Sequence, residues 1–114
     1  AIANGLPITV YGDGDQTRDF IYVDDVVEAN ILGLENNITG VYNISTNIAS
    51  SINLIIDEFK CISNSKIDVS YECERIGDIR HSRLDNKKAQ KDLSFKITFN
   101  LRDGLFKTYE YFKK

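Results

Sequence analysis

Apolar and polar positions along the chain fall into short blocks of two different periods. Ile8-Thr9-Val10-Tyr11 is a β-type run, and the turn cluster Gly12-Asp13-Gly14-Asp15 ends it. Thr17 to Val23 predicts a second extended stretch. Val23, Val27, Ile31 and Leu34 then recur at helical spacing, predicting an amphipathic helix from Asp24 to about Glu35. Asp24 and Asp25 open it, where carboxylates complement the helix dipole. Val41-Tyr42-Asn43-Ile44 is a strand candidate. The next helix carries Ile52, Ile55, Ile56 and Phe59 on one face, with Ser50 or Ser51 as its cap. Ile67 to Tyr71 alternates as a half-buried strand does. Asp85 is placed to cap a short helix through Leu93, and Asn100 to cap a last helix from about Leu101 to Phe112.

This order of elements predicts a small mixed α/β unit, a single domain spanning residues 1–114. Ala1-Ile2-Ala3-Asn4-Gly5 reads as the last turn of a helix closed by a left-handed glycine. With no methionine anywhere in the sequence, that opening leads us to expect a piece of a longer protein. The chain is 42% hydrophobic and 27% charged, which rules out a disordered composition. A net charge of -3 argues against nucleic acid and anionic membranes as partners. No apolar run approaches the about 20 residues needed to cross a bilayer. Cys61 and Cys73 stand apart without a C-x-x-C, so two reduced thiols in a cytoplasmic protein are expected. One histidine, His81, leaves a zinc site without clustered ligands.

Two motifs mimic dehydrogenase chemistry without completing it. Gly12-x-Gly14 lacks the third glycine of a dinucleotide fingerprint, which would fall at Thr17, and an extended stretch follows instead of a helix. A tight turn explains it better. Tyr109 and Lys113 have the Tyr-x-x-x-Lys spacing that places a phenol and an ammonium on one helix face. Tyr109 belongs to the apolar stripe of the last helix, so a core tyrosine beside a solvated lysine is expected.

Two longer segments carry more. Gly12-Asp13-Gly14-Asp15-Gln16-Thr17-Arg18-Asp19-Phe20-Ile21-Tyr22-Val23-Asp24-Asp25-Val26 places Arg18 at a strand edge beside a helix start. Arg75-Ile76-Gly77-Asp78-Ile79-Arg80-His81-Ser82-Arg83-Leu84-Asp85 holds three of the chain's five arginines in one glycine-containing loop. Arginine in place of lysine in such a loop suits bidentate phosphate binding. Together the segments resemble extended short-chain dehydrogenases/reductases acting on nucleotide sugars, the NAD-dependent epimerase/dehydratase family. Ile76 stands where that family usually has proline. Gly40 to Ser45 and Leu101-x-x-Gly104-Leu105-x-x-Thr108 extend the likeness along the chain.

The resemblance implies the carboxy-terminal, substrate-binding part of a UDP-sugar 4-epimerase. The amino-terminal Rossmann half, with its NAD site and catalytic tyrosine and lysine, would lie outside this chain. Such an enzyme takes hydride from the sugar's C4 onto NAD and returns it to the opposite face, so the diphosphate must be held while the sugar turns. Carried over by position, Arg18 and Arg75 would contact the diphosphate, Asp78 a ribose hydroxyl, and Thr9, Val10 and Tyr11 the base, with Ser82 near the nucleotide. A 4,6-dehydratase or decarboxylase of the same family, or a non-catalytic nucleotide-binding or interaction module, are the alternatives. A chain of this kind, without its larger half, is expected to be inactive alone and to self-associate through the face left bare.

Overall fold

A computed structural model describes residues 1–113. A 3-10 turn, Ile2–Asn4, leads through Gly5 (φ 66°) into strand β1, Ile8–Tyr11. Then come β2 (Thr17–Arg18), α1 (Val23–Glu35), β3 (Ser50–Ser51), α2 (Ile52–Ser63), β4 (Val69–Glu72), α3 (Lys87–Leu93) and α4 (Leu101–Phe112). The strands form two separate two-stranded ladders. β1 runs parallel to β4, pairing Ile8 with Val69 and Tyr11 with Glu72, and β2 runs antiparallel to β3. Thr17 also bridges to His81, so the long polar loop is laced to β2.

The caps explain where the helices start. Ser51 Oγ accepts from the Leu54 amide at 3.1 Å, and Asn100 Oδ1 accepts from the Asp103 amide at 2.9 Å. Each satisfies one of the donors a helix start leaves free. α3 begins two residues after Asp85. Asn86 is its first flanking residue, and the Asp85 carboxylate accepts from the Lys87 amide at 2.9 Å.

Two apolar clusters hold the chain. One gathers Ala29, Ala89, Leu93 and Phe95, with Ile21, Leu32, Ile38 and Ile44 packed around them. The other lies where α2 packs against α4 and the opening turn, with Ile56 of α2 buried there and Val10 of β1 buried nearby. The molecule is a slab of 47 × 35 × 16 Å with a radius of gyration of 16.3 Å. A compact domain of this length would have about 13 Å. So thin a body leaves apolar side chains without cover.

Three sequence expectations change on this ground. The stripe Val23, Val27, Ile31 and Leu34 faces outward, with Leu34 79% exposed. α1 instead buries Asp25 and Ala29. Asp25 can sit inside because its two carboxylate oxygens accept from the Thr98 and Phe99 amides at 2.9 and 3.2 Å. Val41–Ile44 forms no ladder among the described residues, and Val41 is 86% exposed. Of the stretch from Thr17 to Val23, only Thr17 and Arg18 are paired, and Val23 already belongs to α1. A strand needs a neighbour for its amides, and neither segment has one there.

Candidate functional site

A cleft of about 390 Å³ opens between β1, α2 and the polar loop. Its floor is the face of α2 formed by Ile52, Ile55, Ile56 and Phe59. Its rim brings together Thr9, Val10, Tyr11, Arg18, Arg75 and Asp78. Residues separated by more than sixty positions meet there because β4 lies alongside β1 and delivers the loop that follows it. A second hollow of about 420 Å³ lies against α1, and no charged residue lines it. Chemistry rather than size singles out the first.

Each rim cation is held differently. Arg18 is half-buried, and its Nη1 donates to the Thr17 carbonyl at 2.8 Å. The Arg75 guanidinium lies over the Tyr11 ring, 3.9 Å from its centroid. Gly77, at φ 90°, turns the loop so that the Asp78 amide donates to the Arg75 carbonyl at 3.1 Å. That conformation favours glycine.

Gln16, unremarked in the sequence, also lines the cleft. Its Nε2 donates to the Tyr11 carbonyl at 2.8 Å, while its buried Oε1 has no partner. An acceptor so placed suits a hydroxyl or N–H of a bound molecule, since leaving it unmatched is costly. Its position between Gly14 and Arg18 was the only signal the sequence offered. Ser82 is half-buried and does not line the cleft. Its amide donates to the Thr17 carbonyl at 3.1 Å, so its position serves the lacing of the loop.

The carboxylates of the same motifs work on the fold. Asp19 accepts from the amides of Thr46 and Asn47 at 2.8 and 2.9 Å and from the Thr46 hydroxyl, fixing the turn after Ile44. Asp13 takes a two-pronged bond from Arg80. The Arg80 guanidinium, and after it the Asp15 amide, hold the Asp13 carboxyl below the usual carboxylate value.

The Gly12-x-Gly14 turn does not fit a dinucleotide. The carbonyls of Gly14 and Gln16 accept from the Asn53 and Ile52 amides, using the donors at the start of α2 that a phosphate would need. A Cβ at Gly14 would collide with Asn53 Oδ1, so a side chain already fills that space. Lys113, the residue that follows α4, pairs with Glu110 at 3.8 Å and lies 5.6 Å from the Tyr109 ring centroid, outside the cleft. Cys61 and Cys73 are free and exposed. Among the described residues no three His, Cys, Asp or Glu side chains converge as metal ligands, and no helix is long and apolar enough to cross a membrane.

Residues 1–49 match the model of the NAD dependent epimerase/dehydratase family. The likeness continues beyond them, over 98% of the chain, in the structure of a UDP-N-acetylglucosamine 4-epimerase from Methanobrevibacter ruminantium M1 in complex with UDP-N-acetylmuramic acid. The two are 39% identical with a TM-score of 0.90. Sequence and backbone alike are similar to the NAD-dependent epimerase/dehydratase family. The chain is 31% identical, over 99% of its length, to the UDP-glucose 4-epimerase of Mycolicibacterium smegmatis. It is 32% identical over 96% of its length to UDP-glucuronic acid decarboxylase 1 of Xenopus tropicalis. The chain spans 36% of the first of these curated relatives and 26% of the second, and 36% of the solved epimerase chain.

Proposed function

We propose that this chain is the nucleotide-holding part of a UDP-sugar 4-epimerase, with the cleft between β1, α2 and the polar loop as its site. The observation that carries this reading is the convergence of Arg18 and Arg75 over an apolar floor, beside Asp78 and the strand Thr9–Tyr11. Two guanidiniums offer planar forks of donors that match diphosphate oxygens and stay charged at any working pH. Asp78 and the unmatched Gln16 Oε1 are acceptors suited to ribose hydroxyls. The strand and the isoleucines of α2 suit the flat base.

The family's NAD supplies the redox step. The Gly12-x-Gly14 turn does not fit it, so this reading assigns NAD to an amino-terminal Rossmann domain. This chain's task is to hold the nucleotide end of the substrate while the sugar moves, a use of binding energy remote from the reacting carbon. Decarboxylation within the same family is the second reading, favoured by the likeness to the Xenopus tropicalis enzyme. In the full-length protein, calorimetry with UDP and an assay for interconversion of a UDP-sugar with its C4 epimer test the proposal. Binding with interconversion is expected. Loss of carbon dioxide from a UDP-uronic acid would select the second reading, and absence of UDP binding would sink both.

A further inference from the structure

Residues more than sixty positions apart line the cleft, and one exposed contact ties two of its elements together at the edge. Arg80 Nη1 and Nη2 donate to Asp13 Oδ1 and Oδ2 at 2.8 and 2.7 Å, across a separation of 67 residues. Asp13 belongs to the turn that leads into Gln16 and Arg18. Arg80 belongs to the loop that presents Arg75 and Asp78.

The two sides differ in how firmly they are held. The turn is fixed to α2. Asn53 Nδ2 donates to the Asp13 carbonyl at 3.1 Å and to Asp15 Oδ1 at 2.9 Å, and the Asp15 amide donates to Asp13 Oδ1 at 2.9 Å. Among the described residues the loop is tied near its ends, at Arg75 over Tyr11 and at Arg80, His81 and Ser82 on Thr17. Residues 74–79 between them are exposed, with Ile76 and Ile79 extended into solvent. Asp13 is therefore the post, and the loop is the part that can move.

We propose that the Asp13–Arg80 pair is a clasp that positions Arg75 and Asp78 opposite Arg18, strengthening diphosphate binding without touching the ligand. This deepens the nucleotide reading of the cleft and rests on it. A ligand that binds only the clasped loop loses affinity in proportion to the fraction left unclasped. An exposed pair of this kind supports about a three- to fivefold effect.

The sign at Asp13 separates the clasp from plain electrostatics. A carboxylate close to a diphosphate repels it, and removing that carboxylate would also free Arg80 to reach the phosphates. Both effects predict that Asp13→Asn tightens UDP binding. The clasp predicts that it weakens.

The test uses the full-length protein, with UDP calorimetry and amide hydrogen exchange of residues 74–79 in the free state. Asp13→Asn and Arg80→Gln should each weaken UDP binding about three- to fivefold and speed exchange in the loop by a similar factor. The exchanged pair Asp13→Arg with Arg80→Asp should restore both readouts. Asp13→Asn that binds UDP as tightly as the unmodified protein, or more tightly, overturns the proposal whatever the exchange shows. Should the unmodified protein fail to bind UDP, the nucleotide reading falls. Exchange then decides the clasp alone, and an unchanged rate in Asp13→Asn overturns it.

Discussion

Replacing Arg75 by alanine in the full-length protein isolates one half of the cationic rim. In the free structure its guanidinium rests on the Tyr11 ring at 3.9 Å and lines the cleft with Arg18. Hydrogen bonds from a charged donor to phosphate contribute about 1.5–3 kcal/mol. Against this stands the contact with Tyr11, about 0.5–1 kcal/mol at an exposed site, which the arginine gives up if it moves to the ligand. The balance is about 1–2 kcal/mol, so Arg75→Ala should weaken UDP binding by about one power of ten. Arg18 starts half-buried and bonded to its own backbone, and Arg18→Ala should cost at least as much. Arg75→Lys should recover only part of the loss, because an ammonium keeps the charge without the planar fork. Arg102→Ala is the control. That residue sits on α4, 3.7 Å from Glu58, and does not line the cleft. Calorimetry with UDP reads all four variants. Arg18→Ala and Arg75→Ala both binding like the unmodified protein would refute the anchor, as would a loss of equal size in Arg102→Ala.

Three further outcomes follow from the same structure. Asp25→Ala leaves the Thr98 and Phe99 amides without acceptors. At about 1–3 kcal/mol for each, the loss of stability should be about 2–6 kcal/mol, read as a drop in the midpoint of thermal unfolding. The chain alone should show no NAD binding in calorimetry, because the Gly12-x-Gly14 turn is already spent on α2; micromolar affinity would contradict that account. The chain alone should also self-associate through the face of Val27, Ile31 and Leu34, and Leu34→Lys should reduce the effect in light scattering. A clean monomer at high concentration would count against it.

What the sequence made legible was local. The caps Ser51 and Asn100, the left-handed Gly5 and the β1 run are set by neighbours within a few residues, and each lies where expected. The misreadings were failures of context. The residues of the α1 stripe are legible from their spacing, but which side meets the body depends on Phe95 and the amides of Thr98 and Phe99, far along the chain. Val41–Ile44 has strand composition, yet a ladder requires a partner, and none stands beside it among the described residues. At the cleft, six residues carried over by resemblance line one cavity because β1 and β4 pair in parallel, a long-range fact invisible to periodicity. Ser82 falls outside the cleft because the bridge at His81 turns its amide toward Thr17. Gln16 carries no such signal in the sequence, because its significance lies in a buried oxygen with no partner, which only packing reveals.

The most direct measurement is a crystal structure of the full-length protein with a UDP-sugar bound. The account predicts the pyrophosphate between Arg18 and Arg75, with their guanidinium nitrogens at hydrogen-bonding distance from its oxygens, about 2.7–2.9 Å. The ribose should lie against Asp78 and Gln16. A diphosphate bound elsewhere, with Arg18 and Arg75 both free of it, would contradict the account.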